Sequence, residues 1–79
     1  MRVNSAEELA IVLMDSRKRQ GLSQARVGES VGLKQTTVSS FENKAAKSRV
    51  DTLFRLLSAL NLELEVVSRK DAAKGELEW

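Results

Sequence analysis

The side chains best equipped for chemistry are hydrogen-bonding amides and hydroxyls, and they gather in one stretch. Lys34, Gln35, Thr36, Thr37, Ser39, Ser40 and Asn43 follow one another closely, and Lys44, Lys47 and Arg49 come directly after. Such a set can address the edges of bases and the oxygens of phosphates. A glutamine amide pairs with adenine, a threonine methyl touches a thymine methyl, and lysine or arginine neutralises phosphate. Nucleophilic and redox chemistry lack their usual groups, because the 79 residues contain neither Cys nor His. The usual zinc, haem and iron–sulfur sites therefore have no ligands, leaving only oxygen-ligated metals possible, and disulfides are excluded. Glu63 and Glu65 share one face of a period-two pattern, where solvation or cross-strand pairing explains them better than acid–base catalysis. We expect no enzyme, no metal and no cofactor.

These residues need a helix to present them, and the sequence supplies one. Val38 and Phe41 mark its inner face, and a turn of 100° per residue then puts Thr36, Ser39, Ser40 and Asn43 outward, flanked by Lys34 and Gln35. A face meant only for water is usually built of stronger helix formers such as Glu, Lys or Ala. Short hydroxyl side chains give up propensity and allow close approach, although the same residues can also cap a short frayed helix. The preceding helix is short: Ser23 caps it, Val27 and Val31 point inward, and Gly32 ends it. Gly28 meets the demand for a small residue where two helices cross, and Gly32 opens the turn. Two helices joined in this way form a helix-turn-helix, whose second helix enters the major groove.

The remaining elements follow from punctuation and period. Ser5 with Glu8 reads as a capping box, and Leu9, Val12, Leu13 and Ser16 continue a helix over about residues 6 to 20 until Gly21 stops it. Residues 43 to 48 read as a polar loop. Ser48 or Asp51 opens a further helix in which Leu53, Leu56, Leu57 and Leu60 form the strongest apolar stripe of the chain. After Asn61 the period changes to two, with Leu62, Leu64 and Val66 alternating with Glu63 and Glu65. A lone amphipathic strand leaves its backbone unpaired, so its expected partner is the same segment of a second copy. Residues 70 to 79 lack periodicity and read as a mobile tail ending in the chain's single tryptophan.

Charge is distributed unevenly along the chain. Residues 17 to 49 hold eight basic and two acidic side chains, whereas the flanking stretches are each acidic by two charges. A basic block is the footprint of a polyanion surface, and it is also what a solvated face looks like. Lys44, Lys47 and Arg49 are expected on phosphate, with Gln24 at the start of its helix beside them. The helical wheel puts Glu42 at the edge of the buried face, where Arg17 is a candidate partner; the alternative is two solvated charges. The longest apolar run, Ala10 to Met14, is far too short to span a membrane, and no signal peptide is expected. The expected compartment is the cytoplasm.

At Gly21-Leu22-Ser23-Gln24, Gly32-Leu33-Lys34-Gln35 and Val38-Ser39-Ser40-Phe41-Glu42-Asn43, the chain resembles the Cro/repressor-type (XRE-like) helix-turn-helix family over roughly residues 6 to 61. The run from Gly32 to Asn43, the 62 to 67 strand pattern and the ending Leu77-Glu78-Trp79 further resemble the HipB-type antitoxins. That resemblance implies a mainly α, four- to five-helix bundle with one C-terminal β-strand pairing across a homodimer. It divides the chain into a DNA-binding domain (1–61), a dimerisation strand (62–69; Leu62, Leu64, Val66) and a tail (70–79). It implies base contacts from Lys34, Gln35, Thr36 and Ser39. Backbone contacts are expected from Gln24, Thr37, Asn43, Lys44 and Lys47, together with an Arg17–Glu42 pair. The implied partners are a palindromic double-stranded operator, a second copy and a HipA-like serine/threonine kinase toxin touched by Leu77 and Trp79. The implied setting is the bacterial cytoplasm, at the nucleoid when on DNA, with repression of its own operon. Two positions depart from the family: Arg26 stands where Glu is common and Gly28 where Ala is common, the latter at an expected cost of up to ~1 kcal/mol. A stand-alone regulator and a DNA-independent interaction module are the competing readings.

Overall fold

Ser5 starts the first helix by accepting the Glu8 amide on its hydroxyl (3.0 Å), and Glu8 reaches back to the amide of Asn4 (2.9 Å). The capping box thus closes one residue earlier than the usual reciprocal pattern. In the computed structural model, which describes residues 2–69, this helix is α1 (Ala6–Arg19). It is followed by α2 (Gln24–Ser30), α3 (Gln35–Asn43), a 3-10 turn (Ala45–Lys47) and α4 (Val50–Ala59). The mainly α bundle expected from the sequence is the one observed.

Three of the helices end in the same manner. After α1, α2 and α4 the chain turns through a left-handed residue: Gly21 (φ 70°), Gly32 (φ 71°) and Asn61 (φ 58°). The next amide then reaches back to the final turn, Leu22 to the Arg17 carbonyl (3.1 Å), Leu33 to Gly28 (2.8 Å) and Leu62 to Leu57 (2.8 Å). This arrangement satisfies carbonyls that a helix end leaves open and folds an apolar residue back onto the bundle. Leu22, Leu33 and Leu62 all pack against the core.

That core consists of Ala10, Leu13, Val27, Val38, Phe41, Ala45, Leu56, Leu57 and Leu60. α3 packs on both α1 and α2, and α2 also touches α4. Gly28 is buried where α2 meets the turn, and a methyl group there would collide with the Leu33 carbonyl oxygen and crowd the Val38 side chain. The glycine is therefore a packing requirement of this crossing, and comparing it with alanine by helix propensity alone misses the reason it is there.

Several expectations are corrected. Residues 43 to 48 do not form a plain loop: Ala45 is buried and opens the 3-10 turn, placing a small apolar plug beneath α3. Neither Ser48 nor Asp51 caps α4. The N-cap is Arg49, which makes no side-chain cap bond, and Asp51 lies in the first turn, paired with Arg55 at 3.3 Å. There the acidic side chain complements the helix dipole without capping it. Residues 62 to 68 carry no regular secondary structure, since a strand requires a ladder and the described residues offer this segment none. The expected tail, with Leu77 and Trp79, lies outside the described residues.

Candidate nucleic-acid interface

The first turn of α3 sets the site. Lys34 is its N-cap in extended conformation and Gln35 its first residue, so both project from the tight turn that leaves α2. Val38 and Phe41 sink into the core, which rotates Gln35, Thr36, Ser40 and Asn43 to solvent, while Thr37 and Ser39 are half-buried at the edges. Lys34, Lys44 and Lys47 are exposed at the two ends of α3. The sequence-based face is thus brought together as expected, with two refinements. Ser39 sits at the rim and not at the crest. Asn43 folds its amide back, donating to the Ser39 carbonyl (2.9 Å) and hydroxyl (3.3 Å).

Behind this face lies a polar chain that the sequence reading captured only at one end. Arg17 Nε donates to Glu42 Oε2 (2.7 Å) and Arg17 Nη2 to Glu42 Oε1 (3.0 Å), a two-pronged pairing between α1 and the end of α3. The third prong, Nη1, donates to the Leu22 carbonyl at 2.8 Å. Both side chains are nearly out of solvent, 11% and 6% exposed, so the pair is internal and the reading of two solvated charges is set aside. Glu42 Oε1 also accepts from Gln24 Nε2 (2.9 Å), and Gln24 Oε1 accepts from Gln35 Nε2 (2.6 Å). Gln24, expected beside a phosphate, is therefore also the link between the ion pair and the tip of α3. No local sequence pattern signals such a link, because its members come from three helices.

The electrostatics of Glu42 are a contest. Burial works against its charge, while the hydrogen bonds from Arg17 and Gln24 and the positive charges of Arg17 and Lys18 work for it. The second group prevails and holds the carboxyl below its ordinary range, so it is an anion at neutral pH. The tie to α1 fixes the end of α3 against the bundle, and the remaining cations face solvent. Two of these are paired, Arg19 with Asp15 at 2.9 Å on α1 and Arg55 with Asp51 at 3.3 Å on α4.

A second tie lies across the molecule. Gln20 Nε2 donates to the Leu60 carbonyl (3.0 Å) and to the Ser16 hydroxyl (3.1 Å), joining the end of α1 to the end of α4. Beyond that point Leu62 is half-buried against the core, whereas Leu64, Val66 and Val67 are exposed by 46%, 61% and 47%. Of the residues assigned to dimerisation, one is thus an anchor and two are free to meet another surface. No helix among the described residues is long and apolar enough to cross a membrane.

Comparison with known proteins extends these observations. The chain is 29% identical to the antitoxin HipB of Escherichia coli strain K12, over 99% of its own length and 94% of the relative. Against HipB of E. coli O6:H1 the identity is likewise 29%, over 99% and 88%. Among solved structures it is similar to HipB in a HipB-O4 20mer complex, with TM-score 0.85, 28% identity, and 87% and 97% of the two chains covered. The same values hold for HipB in a HipA-HipB-O2-O3 complex. The helix-turn-helix family model matches residues 13–67. That span takes in the whole of α2, the turn and α3, together with the end of α1 that carries Arg17 and all of α4. On this match the chain belongs to the helix-turn-helix family.

Proposed function

We propose that this protein is a sequence-specific DNA-binding antitoxin that represses its own operon as a homodimer and binds a HipA-like serine/threonine kinase toxin. The observation that carries the DNA-binding part is the outer face of α3. Its exposed short side chains stand on a helix held to the bundle by the buried Arg17–Glu42 pair. In this reading Lys34, Gln35, Thr36 and Ser39 address bases, and Gln24, Thr37, Asn43, Lys44 and Lys47 address the phosphate backbone on either side. The likeness to HipB along nearly the full chain supports the antitoxin part.

Dimerisation would pair the 62–67 segments antiparallel, with Leu62, Leu64 and Val66 between two bundles. The exposed Leu64 and Val66 support it. Two copies then place two α3 helices on successive major grooves or a multiple of that spacing, which calls for a palindromic site. The toxin contact is assigned to Leu77 and Trp79, because an indole buries a large area at small rotamer cost. The protein acts in the cytoplasm, at the nucleoid when on DNA.

The test is selection from a randomised duplex library with the purified protein, combined with sedimentation and with recovery of what co-elutes from the native source. A palindrome, a dimer and a co-eluting kinase are expected. Gln35→Ala should flatten preference at one position of each half-site. Lys44→Ala or Lys47→Ala should weaken every sequence alike and lower the salt slope by about one phosphate contact each. Selection that returns no sequence preference would overturn base reading, and a monomer at micromolar concentration would overturn the ribbon.

A further inference from the structure

The polar chain behind α3 has a direction. An ionised carboxylate only accepts hydrogen bonds, so the Gln24 side chain must turn its NH2 group to Glu42 Oε1, as it does at 2.9 Å. Its carbonyl oxygen then faces away and can only accept. Gln35 meets that oxygen with its own NH2 group at 2.6 Å, which leaves Gln35 Oε1 and the second amide hydrogen for whatever lies in front of α3. Turning Gln24 over would set oxygen against oxygen at Glu42 and nitrogen against nitrogen at Gln35, and turning Gln35 over would set its oxygen against that of Gln24. The orientation of an exposed amide is thus imposed from a carboxylate that is itself 6% exposed and clamped by Arg17.

We infer that Glu42 and Gln24 are positioning residues for base specificity: the acceptor-only character of Glu42 is relayed through Gln24 and selects the donor–acceptor edge that Gln35 presents. This rests on the reading of Gln35 as a base-contacting residue. An edge offering one acceptor and one donor matches adenine, whose N6 donates and whose N7 accepts. The reversed amide, with its oxygen spent on Gln24, offers two hydrogens and matches guanine, whose O6 and N7 both accept. Glu42 therefore chooses between two purines without approaching either.

The relay predicts a changed base preference where a simple structural role predicts weakening alone. In Glu42→Gln the side chain is no longer acceptor-only: Arg17 donates to both carboxylate oxygens, so the new NH2 group opposes Nε or Nη2 whichever way the amide turns. Neither orientation is then imposed on Gln24, and both orientations of the Gln35 amide become open. In Gln24→Met the Arg17–Glu42 pair is retained and the relay is cut, freeing the Gln35 amide to adopt either orientation.

The experiment is selection from a randomised double-stranded DNA library with the full-length protein, Glu42→Gln, Gln24→Met and Gln35→Ala, reading the adenine-to-guanine ratio at the position that Gln35→Ala flattens. The ratio should favour adenine in the parent protein and relax toward equality, by about tenfold or more, in both Glu42→Gln and Gln24→Met. Should Glu42→Gln prove too unstable to assay, the Gln24→Met ratio decides alone. An unchanged ratio in Gln24→Met, or equal losses for adenine and guanine in Glu42→Gln, overturns the relay while leaving Gln35 a base reader. If Gln35→Ala flattens no position, base reading by Gln35 itself fails and the relay fails with it.

Discussion

The bundle over residues 6 to 61 and the segment beyond it treat their polar and apolar groups in opposite ways. Within the bundle, no buried side-chain nitrogen or oxygen among the described residues lacks a hydrogen-bond partner. Its apolar stripes face inward around Val27 and Val38, the most enclosed side chains. The segment from 62 to 69 holds no ladder, and it exposes Leu64, Val66 and Val67 within a few residues of one another. One region completes its own requirements. The other leaves apolar side chains exposed, the kind of surface that a partner can cover.

The strongest way to break this comparison is to damage the first region. Phe41 is 3% exposed and touches the core from the same helix that carries Glu42. Phe41→Ala should cost about 3 to 5 kcal/mol, enough to unfold much of so small a bundle, as thermal denaturation followed by circular dichroism would register. A loss below about 1 kcal/mol would mean that the bundle is held by something other than this core.

Acid sharpens the contrast at a smaller scale. The folded-state pKa of Glu42 lies below its ordinary value of 4.5, so its contribution to stability is full above that value and is lost as pH falls through the depressed one. The gap in stability between the parent protein and Glu42→Gln should therefore be widest near neutral pH and close progressively below 4.5. A gap that stays constant into acid would show that the carboxyl carries no pH-linked stabilisation. The charges facing Glu42 are those of Arg17 and Lys18.

The smallest effect on folding is expected where the largest effect on assembly lies. Leu64→Asp with Val66→Asp should leave the melting of the dilute bundle within about 0.5 kcal/mol of the parent, because both side chains are already exposed. Sedimentation should nevertheless show the pair of changes abolishing association. A dimer that survives both would place its interface elsewhere.

The bundle was legible because its signals are local or periodic. Gly21 and Gly32 stand where left-handed backbone is required, the leucine stripe repeats at helical spacing, and Glu42 falls at the edge of a wheel. The Arg17 to Glu42 pair could be read from that last position. What escaped the reading is non-local or too short to show a period. Ala45 is one small residue in a three-residue turn. Gln20 reaches forty positions along the chain to Leu60, and Gln24 joins residues that no spacing rule connects. Ser48 and Asp51 looked like caps by type, yet the chain enters α4 in extended conformation at Arg49. The alternation at 62 to 67 was legible as a pattern, but no ladder among the described residues answers it.

The manner in which the chain leaves the bundle has a mechanical consequence. At the end of α4, Asn61 turns left-handed, Leu62 is drawn back by its amide onto Leu57, its side chain is packed on the core, and Gln20 grips the Leu60 carbonyl. The exit is a rigid bracket, with no swivel until Glu63. Load applied along the outgoing arm therefore arrives first at α4 and, through Gln20, at the final turn of α1, the same turn from which Arg17 holds α3. Whatever the arm is joined to, its distance from the bundle is gauged from this bracket. Loosening it, as with Asn61→Pro or Gln20→Ala, converts a fixed ruler into a hinge.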